Sequence, residues 1–320
     1  MNARKGDRTA HKTAENLLRQ TQQIWEQKAV GLIYDHYLHK VKVHTALGER
    51  YGRDATVADT VQQLAAFPNL RLRGESVIWN HEGYISHRAT HVAYNTGYSD
   101  FGQPTGNRVC YPVATDFRVF EGRVVEVWEA RDRLLLAKQL GFGIHEAVVR
   151  LANRRADTIT LPRTHTDAQL PPDAPPRPPI DEAETFVRWV WHEIWNRRRF
   201  DRIAEFYAPN YRYVGPSGRR FHTNDGYASY ALSLLAAFPD ATMLLEHVMS
   251  DAEYGNGRAA VRWRFTGTHD GPGYGVPTGR SIRIPGITHL WFKGGRFTEE
   301  RTVFDELALW VQLHRANVTN

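Results

Sequence analysis

Carboxylates recur at matching positions in the two halves of this 320-residue chain. Asp132 and Asp305 each end a short segment that begins with a glutamate, Glu126 in the first half and Glu299 in the second. A carboxylate held in an apolar pocket has a raised pKa, so near neutral pH it can take a proton from a carbon next to a carbonyl group. These residue types are therefore compatible with proton transfer that needs no cofactor.

Other catalytic chemistries have little support in the sequence. The single cysteine, Cys110, excludes a disulfide framework and every multi-cysteine metal site. His87 and His91 would lie about 13 Å apart on one strand, which is too far to share a metal ion. The sequence contains neither a Gly-rich phosphate loop nor a Gly-x-Ser-x-Gly nucleophile motif. We therefore expect no metal and no other cofactor.

Charge and hydropathy restrict the partners. The net charge of +6 comes from arginines scattered along the chain, whereas nucleic-acid-binding proteins usually cluster them. No apolar run approaches the 18 or more residues that a membrane span needs. We expect a cytoplasmic protein that binds neither nucleic acid nor membrane, and the positive charge favours an anionic substrate.

The matching positions belong to an internal repeat, which changes how the whole chain is interpreted. Residues 104–140 align without a gap on residues 277–313. Upstream, Ile24-Trp25 corresponds to Ile194-Trp195. The pairs shared in the gapless part include Pro104-Thr105-Gly106 with Pro277-Thr278-Gly279, Gly122-Arg123 with Gly295-Arg296, and Gln139-Leu140 with Gln312-Leu313. Each half therefore contains a complete unit.

A proline-rich segment separates the two units. Prolines are frequent between residues 162 and 179, and such sequences favour an extended, semi-rigid spacer. We predict a flexible N-terminal tail over 1–12, a first domain over 13–145, a linker over 146–180 and a second domain over 181–320.

Within each unit the pattern of apolar residues predicts helices first and strands afterwards. Leu17, Ile24 and Trp25 recur at helical spacing, and a second amphipathic helix ends at Pro68 in the first half and at Pro239 in the second. Alternating, β-rich segments follow at about 76–79, 85–98, 108–120 and 123–131, and at about 242–250, 258–269, 281–292 and 296–304. This order is typical of an α+β fold.

Four motifs of the first half resemble one known family. They are the Pro-Thr-Gly turn at 104–106, the Gly-Arg hairpin at 122–123, the Glu-x-Trp-x-x-x-Asp strand at 126–132 and the Gln-Leu-Gly ending at 139–141. In this order they resemble the SnoaL-like polyketide cyclases, which have the nuclear transport factor 2-like superfold. The resemblance implies two tandem cone-shaped domains, each a curved antiparallel sheet packed with N-terminal helices around a pocket.

The resemblance also implies a general base. In SnoaL-like cyclases an aspartate on the last strand takes this role, and the matching positions here are Asp132 and Asp305. If the preceding hairpins have two-residue turns and no bulge, Trp128 shares the face of Asp132, and Glu299 and Arg301 share the face of Asp305. We predict that these faces form the pocket walls.

The neighbouring strands supply further candidates. Alternation along residues 261–269 places Trp263 and His269 toward the pocket, and the corresponding face of the first half carries His91 and Asn95. We predict His269 and His91 as catalytic residues alongside the two aspartates. Trp263, Asn95 and Tyr111, together with Trp128, Glu299 and Arg301, are predicted to bind substrate.

The reaction type is left open by these residues. The leading hypothesis is a cyclase, isomerase or dehydratase (a lyase) that acts on an anionic or aromatic carbonyl compound. One alternative is an epoxide-hydrolase-like activation of water, since Glu299, Arg301 and Asp305 form an acid–Arg–acid pattern. Another is a small-molecule binding protein without activity. Members of this superfold often pair through their sheets, so we expect a pseudo-dimer within the chain or a homo-oligomer.

Overall fold

The computed structural model describes residues 2–154, 176–179, 182–251 and 255–314. The chain divides into two compact units, Met1–Ile159 and Thr160–Asn320. The predicted linker over 146–180 lies mostly outside the described residues. Its first residues are part of a helix that extends to Arg154.

The first unit contains five helices and six strands among its described residues. In chain order they are α1 (Asn2–Glu26), α2 (Leu32–His36), β1 (Tyr37–Thr45), β2 (Gly48–Tyr51), α3 (Arg53–Ala66), β3 (Arg71–Trp79), β4 (Tyr84–Tyr94), β5 (Arg108–Phe120), β6 (Arg123–Arg131), α4 (Arg133–Gln139) and α5 (Ile144–Arg154).

The second unit repeats this order from its first helix to the helix after its last strand, with additional short helical turns. It contains α6 (Ala183–Trp191), a π-helical turn (His192–Asn196), a 3-10 turn (Phe200–Arg202), α7 (Ile203–Phe206), β7 (Tyr207–Val214), a second 3-10 turn (Pro216–Gly218), β8 (Arg220–Phe221), α8 (Asn224–Ala237), β9 (Thr242–Ser250), β10 (Gly257–Thr268), β11 (Ser281–Lys293), β12 (Arg296–Phe304) and α9 (Glu306–His314).

Each unit has one six-stranded sheet with the same topology. The strand orders are β2-β1-β6-β5-β4-β3 and β8-β7-β12-β11-β10-β9. The α+β fold in two tandem domains is therefore confirmed. The sheets are not purely antiparallel, because β1 pairs with β6, and β7 with β12, in parallel. The sequence pattern did not reveal β1, β2, β7 and β8, since they are short or have polar residues at many positions.

The N-terminal helix differs from its prediction. Residues 1–12 were expected to form a loose tail, but α1 begins at Asn2 and runs to Glu26 without interruption. Thr13 lies inside this helix and donates a hydrogen bond to the carbonyl oxygen of Thr9. A helix can extend through this segment because only one glycine and no proline interrupts it.

The hairpin turns have the predicted length, and the strands after them do not have the predicted register. Phe120 pairs with Arg123 and Lys293 with Arg296, with both turn residues at positive φ in each case. One extra residue then follows in the last strand of each unit, Val125 in β6 and Thr298 in β12, and it has no partner on the neighbouring strand. Such a bulge exchanges the faces of all residues beyond it.

The predicted pocket walls are therefore wrong for three residues. Trp128 is paired with Asp116, and Arg301 with His289, on the face that points away from the helices. Glu299 is paired with Trp291 on that same face. Each bulge places the following glutamate on the inner face of its sheet. There Glu129 is paired with Thr115, and Glu300 is paired with Leu290.

Candidate functional site

Each unit has a cavity between its helices and the inner face of its sheet. The cavity of the second unit has a volume of about 30 Å³ and is almost entirely apolar. Its wall includes Trp263, as predicted, with Phe265 on the same strand. The other lining residues are Trp191, Trp195, Tyr213, Tyr230, Leu234, Met243, Ile284, Glu300, Thr302, Phe304 and Leu309.

Glu300 is the one ionisable carboxylate in this lining, and its side chain is buried. The hydroxyl groups of Tyr211 and Thr302 donate hydrogen bonds to its two oxygens at 2.6 and 2.7 Å. Burial raises the pKa of Glu300 to about 7, and the hydrogen bonds oppose this only in part. At neutral pH the group is thus present in both its acidic and its basic form.

The aromatic residues around Glu300 come from elements that the bulge does not affect. Tyr207, Tyr211 and Tyr213 alternate along β7, and Tyr227 and Tyr230 lie one turn apart on α8. All five rings are buried, and burial raises the pKa of each phenol. They remain neutral, so they can donate hydrogen bonds but bring no charge that would compensate a carboxylate.

Two tryptophans of the same lining have an unused donor. The indole Nε1 atoms of Trp191 and Trp195 are buried and have no hydrogen-bond partner among the described residues. Trp263 differs, because its Nε1 donates to Thr288 at 2.9 Å. Trp195 belongs to the hydrophobic core of the second unit and also forms part of the cavity wall.

The cavity of the first unit is larger, at about 60 Å³, and more polar than that of the second unit. It contains two ion pairs. A carboxylate oxygen of Asp59 lies 3.4 Å from a guanidinium nitrogen of Arg50, and a carboxylate oxygen of Glu129 lies 2.5 Å from a guanidinium nitrogen of Arg131. His91 also lines this cavity, as predicted. The remaining lining residues are Thr21, Ile24, Trp25, Ile33, Tyr37, Val43, Thr56, Thr60, Leu72, His87, Ala89, Val113, Thr115, Phe117 and Val127.

The two histidines of this cavity are neutral at physiological pH. Burial lowers the pKa of His91 to about 3, with a further contribution from Arg131, and burial lowers the pKa of His87 to about 4. The ring of His91 lies 5.5 Å from that of Tyr111, which is buried and lines an adjoining small cavity. Tyr111 therefore does not line the cavity of about 60 Å³ itself, and reaches it only through its contact with His91.

The two predicted bases lie at the ends of their strands. Asp132 accepts a hydrogen bond from the backbone N–H of Leu135 at 3.0 Å, and Asp305 accepts one from that of Ala308 at 3.1 Å. Both are thus N-caps of the helices α4 and α9. Neither is part of the cavity linings described above. Their role as general bases stays a prediction.

His269 and Asn95 hold loops. The Nε2 atom of His269 donates to the carbonyl oxygen of Gly273 at 2.5 Å, so its Nδ1 accepts from the backbone N–H of Thr278. In the first unit the Oδ1 atom of Asn95 accepts from the backbone N–H of Thr105. Asn95 is the counterpart of His269, and both side chains hold the Pro-Thr-Gly turn of their unit.

Glu299 and Arg301 form ion pairs on the outer face. Glu299 contacts both Arg301, at 2.6 Å, and Arg212. The guanidinium group of Arg301 lies 5.1 Å from the ring centre of Trp291. In the first unit Trp128 stacks on His44 at 5.1 Å on the corresponding face. These residues cannot contact a molecule bound in the inner cavities.

The model of the SnoaL-like polyketide cyclases matches residues 15–140 and 185–313. The chain belongs to the SnoaL-like polyketide cyclase family. Both halves are SnoaL-like domains, and the fold is that of enzymes acting on small molecules. No curated protein matches the chain in sequence.

Several solved structures are similar to one SnoaL-like domain. AclR of Streptomyces galilaeus, a candidate hydroxylase, is 26% identical over 40% of this chain and 95% of its own, with a TM-score of 0.37. A candidate polyketide cyclase of Acidithiobacillus ferrooxidans is 27% identical over 41% and 92%, with a TM-score of 0.35. IdmH of Streptomyces antibioticus, also a candidate polyketide cyclase, is 24% identical over 38% and 92%, with a TM-score of 0.34.

Two further observations concern metals and membranes. In the described ranges, no group of three or more histidine, cysteine, aspartate or glutamate residues is arranged to hold a metal ion. Among the helices that the structure describes, none combines the length and the apolar character needed to cross a membrane.

The capping role of Asp305 predicts a specific pattern of stability. Replacing Asp305 with Ala should lower the free energy of unfolding by about 1 kcal/mol, because the N–H of Ala308 loses its acceptor. Asp305→Asn should cost much less, since asparagine also caps helices well. Denaturant titration of both variants tests this. Equal losses in the two variants would show that the carboxylate charge, and not the cap, is what matters.

The raised pKa of Glu300 predicts how stability depends on pH. Because the folded protein holds this proton more tightly than the unfolded chain, its contribution to stability should decrease as the pH rises from 4.5 toward 7. The change corresponds to roughly 3 kcal/mol. The difference in unfolding free energy between Glu300→Gln and the native chain should therefore vary with pH across this range. A difference that is constant with pH would contradict the raised pKa.

Proposed function

We propose that the second SnoaL-like domain is a cofactor-independent acid/base enzyme in which Glu300 transfers a proton at a carbon next to a carbonyl group. The observation that supports this most strongly is the single buried carboxylate in an otherwise apolar cavity, with a pKa near 7. A general base is most effective when its pKa is close to the working pH. Glu300 meets that condition through desolvation.

The hydrogen bonds around Glu300 fix its orientation. Tyr211 and Thr302 each hold one carboxylate oxygen, so the group cannot rotate freely. Fixed orientation lowers the entropic cost of reaching the reactive geometry. Thr302 is itself held by Thr288 at 2.8 Å, and Thr288 accepts from Trp263. This chain of contacts links the proposed base to the cavity wall.

The two indole N–H groups without a partner are suited to binding the carbonyl oxygen of the substrate. When a proton leaves the carbon, negative charge develops on the carbonyl oxygen of the substrate, and preorganised N–H donors stabilise it. Trp191 and Trp195 each offer a buried Nε1 in the same lining as Glu300. We assign them the role of binding this oxygen.

Aromatic and other apolar side chains make up most of the walls, and the volume of about 30 Å³ favours a small substrate group beside Glu300. Trp263, Phe265 and Phe304 present ring surfaces to the cavity, and Met243 adds a flexible apolar contact. Cyclisation, isomerisation and dehydration of a carbonyl compound can all begin with the proposed proton transfer. We favour proton transfer over the hydrolytic alternative in this domain, since Glu299 and Arg301 are not part of the cavity lining.

Exchange of a substrate proton for deuterium tests the proposal without knowledge of the natural product. We expect the native chain to accelerate exchange at the α-carbon of acetone, the smallest ketone, in deuterium oxide, followed by proton NMR. Glu300→Gln should lower the accelerated rate by about 10² to 10⁴-fold. The native rate should increase as the pH rises through 7, because the basic form of Glu300 is the reactive one.

Asp305→Asn is the matched control, because it removes the carboxylate favoured by the family pattern. We expect its exchange rate to stay within a few-fold of the native value. Loss of exchange in Asp305→Asn with retention in Glu300→Gln would transfer the role of base to Asp305. Binding of the ketone without any acceleration would instead favour a non-catalytic binding protein.

A further inference from the structure

Glu300 is the end point of a chain of hydrogen bonds that begins at Trp263. The indole Nε1 atom of Trp263 donates to the hydroxyl oxygen of Thr288 at 2.9 Å. The hydroxyl oxygens of Thr288 and Thr302 lie 2.8 Å apart, and Thr302 donates to Oε1 of Glu300 at 2.7 Å. All four side chains are buried. The chain therefore links the neighbouring strands β10, β11 and β12 inside the second SnoaL-like domain.

The chain has a fixed direction. An indole N–H group can donate but cannot accept, and a hydroxyl group has a single hydrogen to donate. Thr302 uses its hydrogen for the carboxylate of Glu300, so Thr288 is the donor in the contact between the two hydroxyl groups. Thr288 in turn accepts from Trp263. Every donor thus points toward Glu300, and the chain cannot reverse because its far end only donates.

This direction affects the two forms of Glu300 differently. Hydrogen bonds donated to a carboxylate favour its charged form. Because Thr288 donates to the oxygen of Thr302, the hydrogen of Thr302 is left for Glu300. Aligned hydrogen bonds in a low-dielectric interior also polarise and strengthen one another. The chain therefore opposes the effect of burial, which raises the pKa of Glu300.

Gly286 provides the space that the chain needs at its far end. It is paired with Trp263 across β10 and β11, and a Cβ atom at this position would overlap the indole ring. The missing side chain lets the indole lie against β11 and reach Thr288, two residues farther along that strand. The glycine is thus required for close approach of the indole ring to the backbone.

The first SnoaL-like domain retains only the central threonine of this arrangement. Thr115 takes the position of Thr288 in the gapless alignment. The other members are replaced, Trp263 by Ala89, Gly286 by Val113, Glu300 by Val127 and Thr302 by Glu129. The first domain therefore has neither this carboxylate nor the chain that leads to it.

No other charged side chain lines the cavity with Glu300. The titratable groups around it on β7 and α8 are phenols, which stay neutral because burial raises the pKa of each, namely Tyr207, Tyr211, Tyr213, Tyr227 and Tyr230. Beyond Tyr230, Arg219 lies 5.5 Å from the ring centre and is paired with Glu306. The donors to Glu300 are therefore the groups that adjust how strongly it holds a proton.

We propose that Thr288 is a positioning residue that keeps the hydroxyl group of Thr302 oriented as a donor to Glu300 and thereby sets the strength of this base. Thr288 is not part of the cavity lining, so it acts through Thr302 and not on a substrate. Its effect on the reaction rests on the proposed role of Glu300, whereas its effect on the titration of Glu300 can be measured without a substrate.

Thr288→Val tests the proposal, because it keeps the shape of the side chain and removes the hydroxyl group. We expect the midpoint of the Glu300 carbon-13 NMR titration to rise by about 0.5 or more, since Thr302 can then accept the hydrogen of the protonated carboxyl group. The pH profile of acetone exchange in deuterium oxide should move upward by the same amount.

Two further variants separate the hydroxyl group from packing. Thr288→Ser keeps the hydroxyl group and should retain the native midpoint. Thr115→Val makes the same change at the matching position of the first domain and should leave the titration of Glu300 unchanged. If Thr288→Val does not fold, as judged by circular dichroism, Trp263→Phe removes the donor at the far end and should raise the midpoint in the same direction.

An unchanged or lowered midpoint in folded Thr288→Val, or an equal rise in Thr288→Ser, would overturn the positioning role. A rise that also occurs in Thr115→Val would do the same, because the effect would then not pass through the chain. Lack of acetone exchange in the native protein, together with a raised midpoint in Thr288→Val, would reject the proposed enzyme activity and leave the positioning role of Thr288 intact.

Discussion

One extra residue in the last strand of each sheet determines which side chains reach the cavities. Val125 in β6 and Thr298 in β12 are each left without a partner, and every residue beyond them changes face. Glu300 consequently points into the apolar interior, whereas its neighbour Glu299 forms ion pairs outside. The same shift brings Glu129 and Arg131 into the first cavity. The chemistry of both domains depends on this backbone feature.

The two domains share this register and the same sheet topology, and they differ in the polarity of the residues that line their cavities. Desolvation dominates in the second domain, where apolar and neutral aromatic groups surround one carboxylate and raise its pKa. In the first domain the buried carboxylates are paired with arginines, so charge is balanced and the histidines carry the perturbed pKa values. Duplication of a fold thus allows one chain to present an apolar acid/base site and a polar cavity.

The sequence predicted the α+β fold, the tandem repeat and the hairpin turns, because these depend on local periodicity and on Gly-containing turns. It also placed His91 and Trp263 on cavity walls, since both lie on strands before the bulges. It did not identify Glu300, because a bulge has no clear sequence signal and strict alternation pointed to Glu299. The sequence contains one indirect signal for a buried polar group, because tyrosines at 207, 211, 213, 227 and 230 offer hydroxyl donors in segments with many apolar residues.

Burial in the second cavity raises the pKa of Glu300 to about 7. Carbon-13 NMR of the chain labelled at glutamate carboxyl carbons, compared with the Glu300→Gln variant, would assign its resonance and follow it with pH. The structure predicts a resonance that titrates with a midpoint near pH 7 and is absent from the variant. A Glu300 resonance that titrates near pH 4.5, as an exposed glutamate does, would contradict the account.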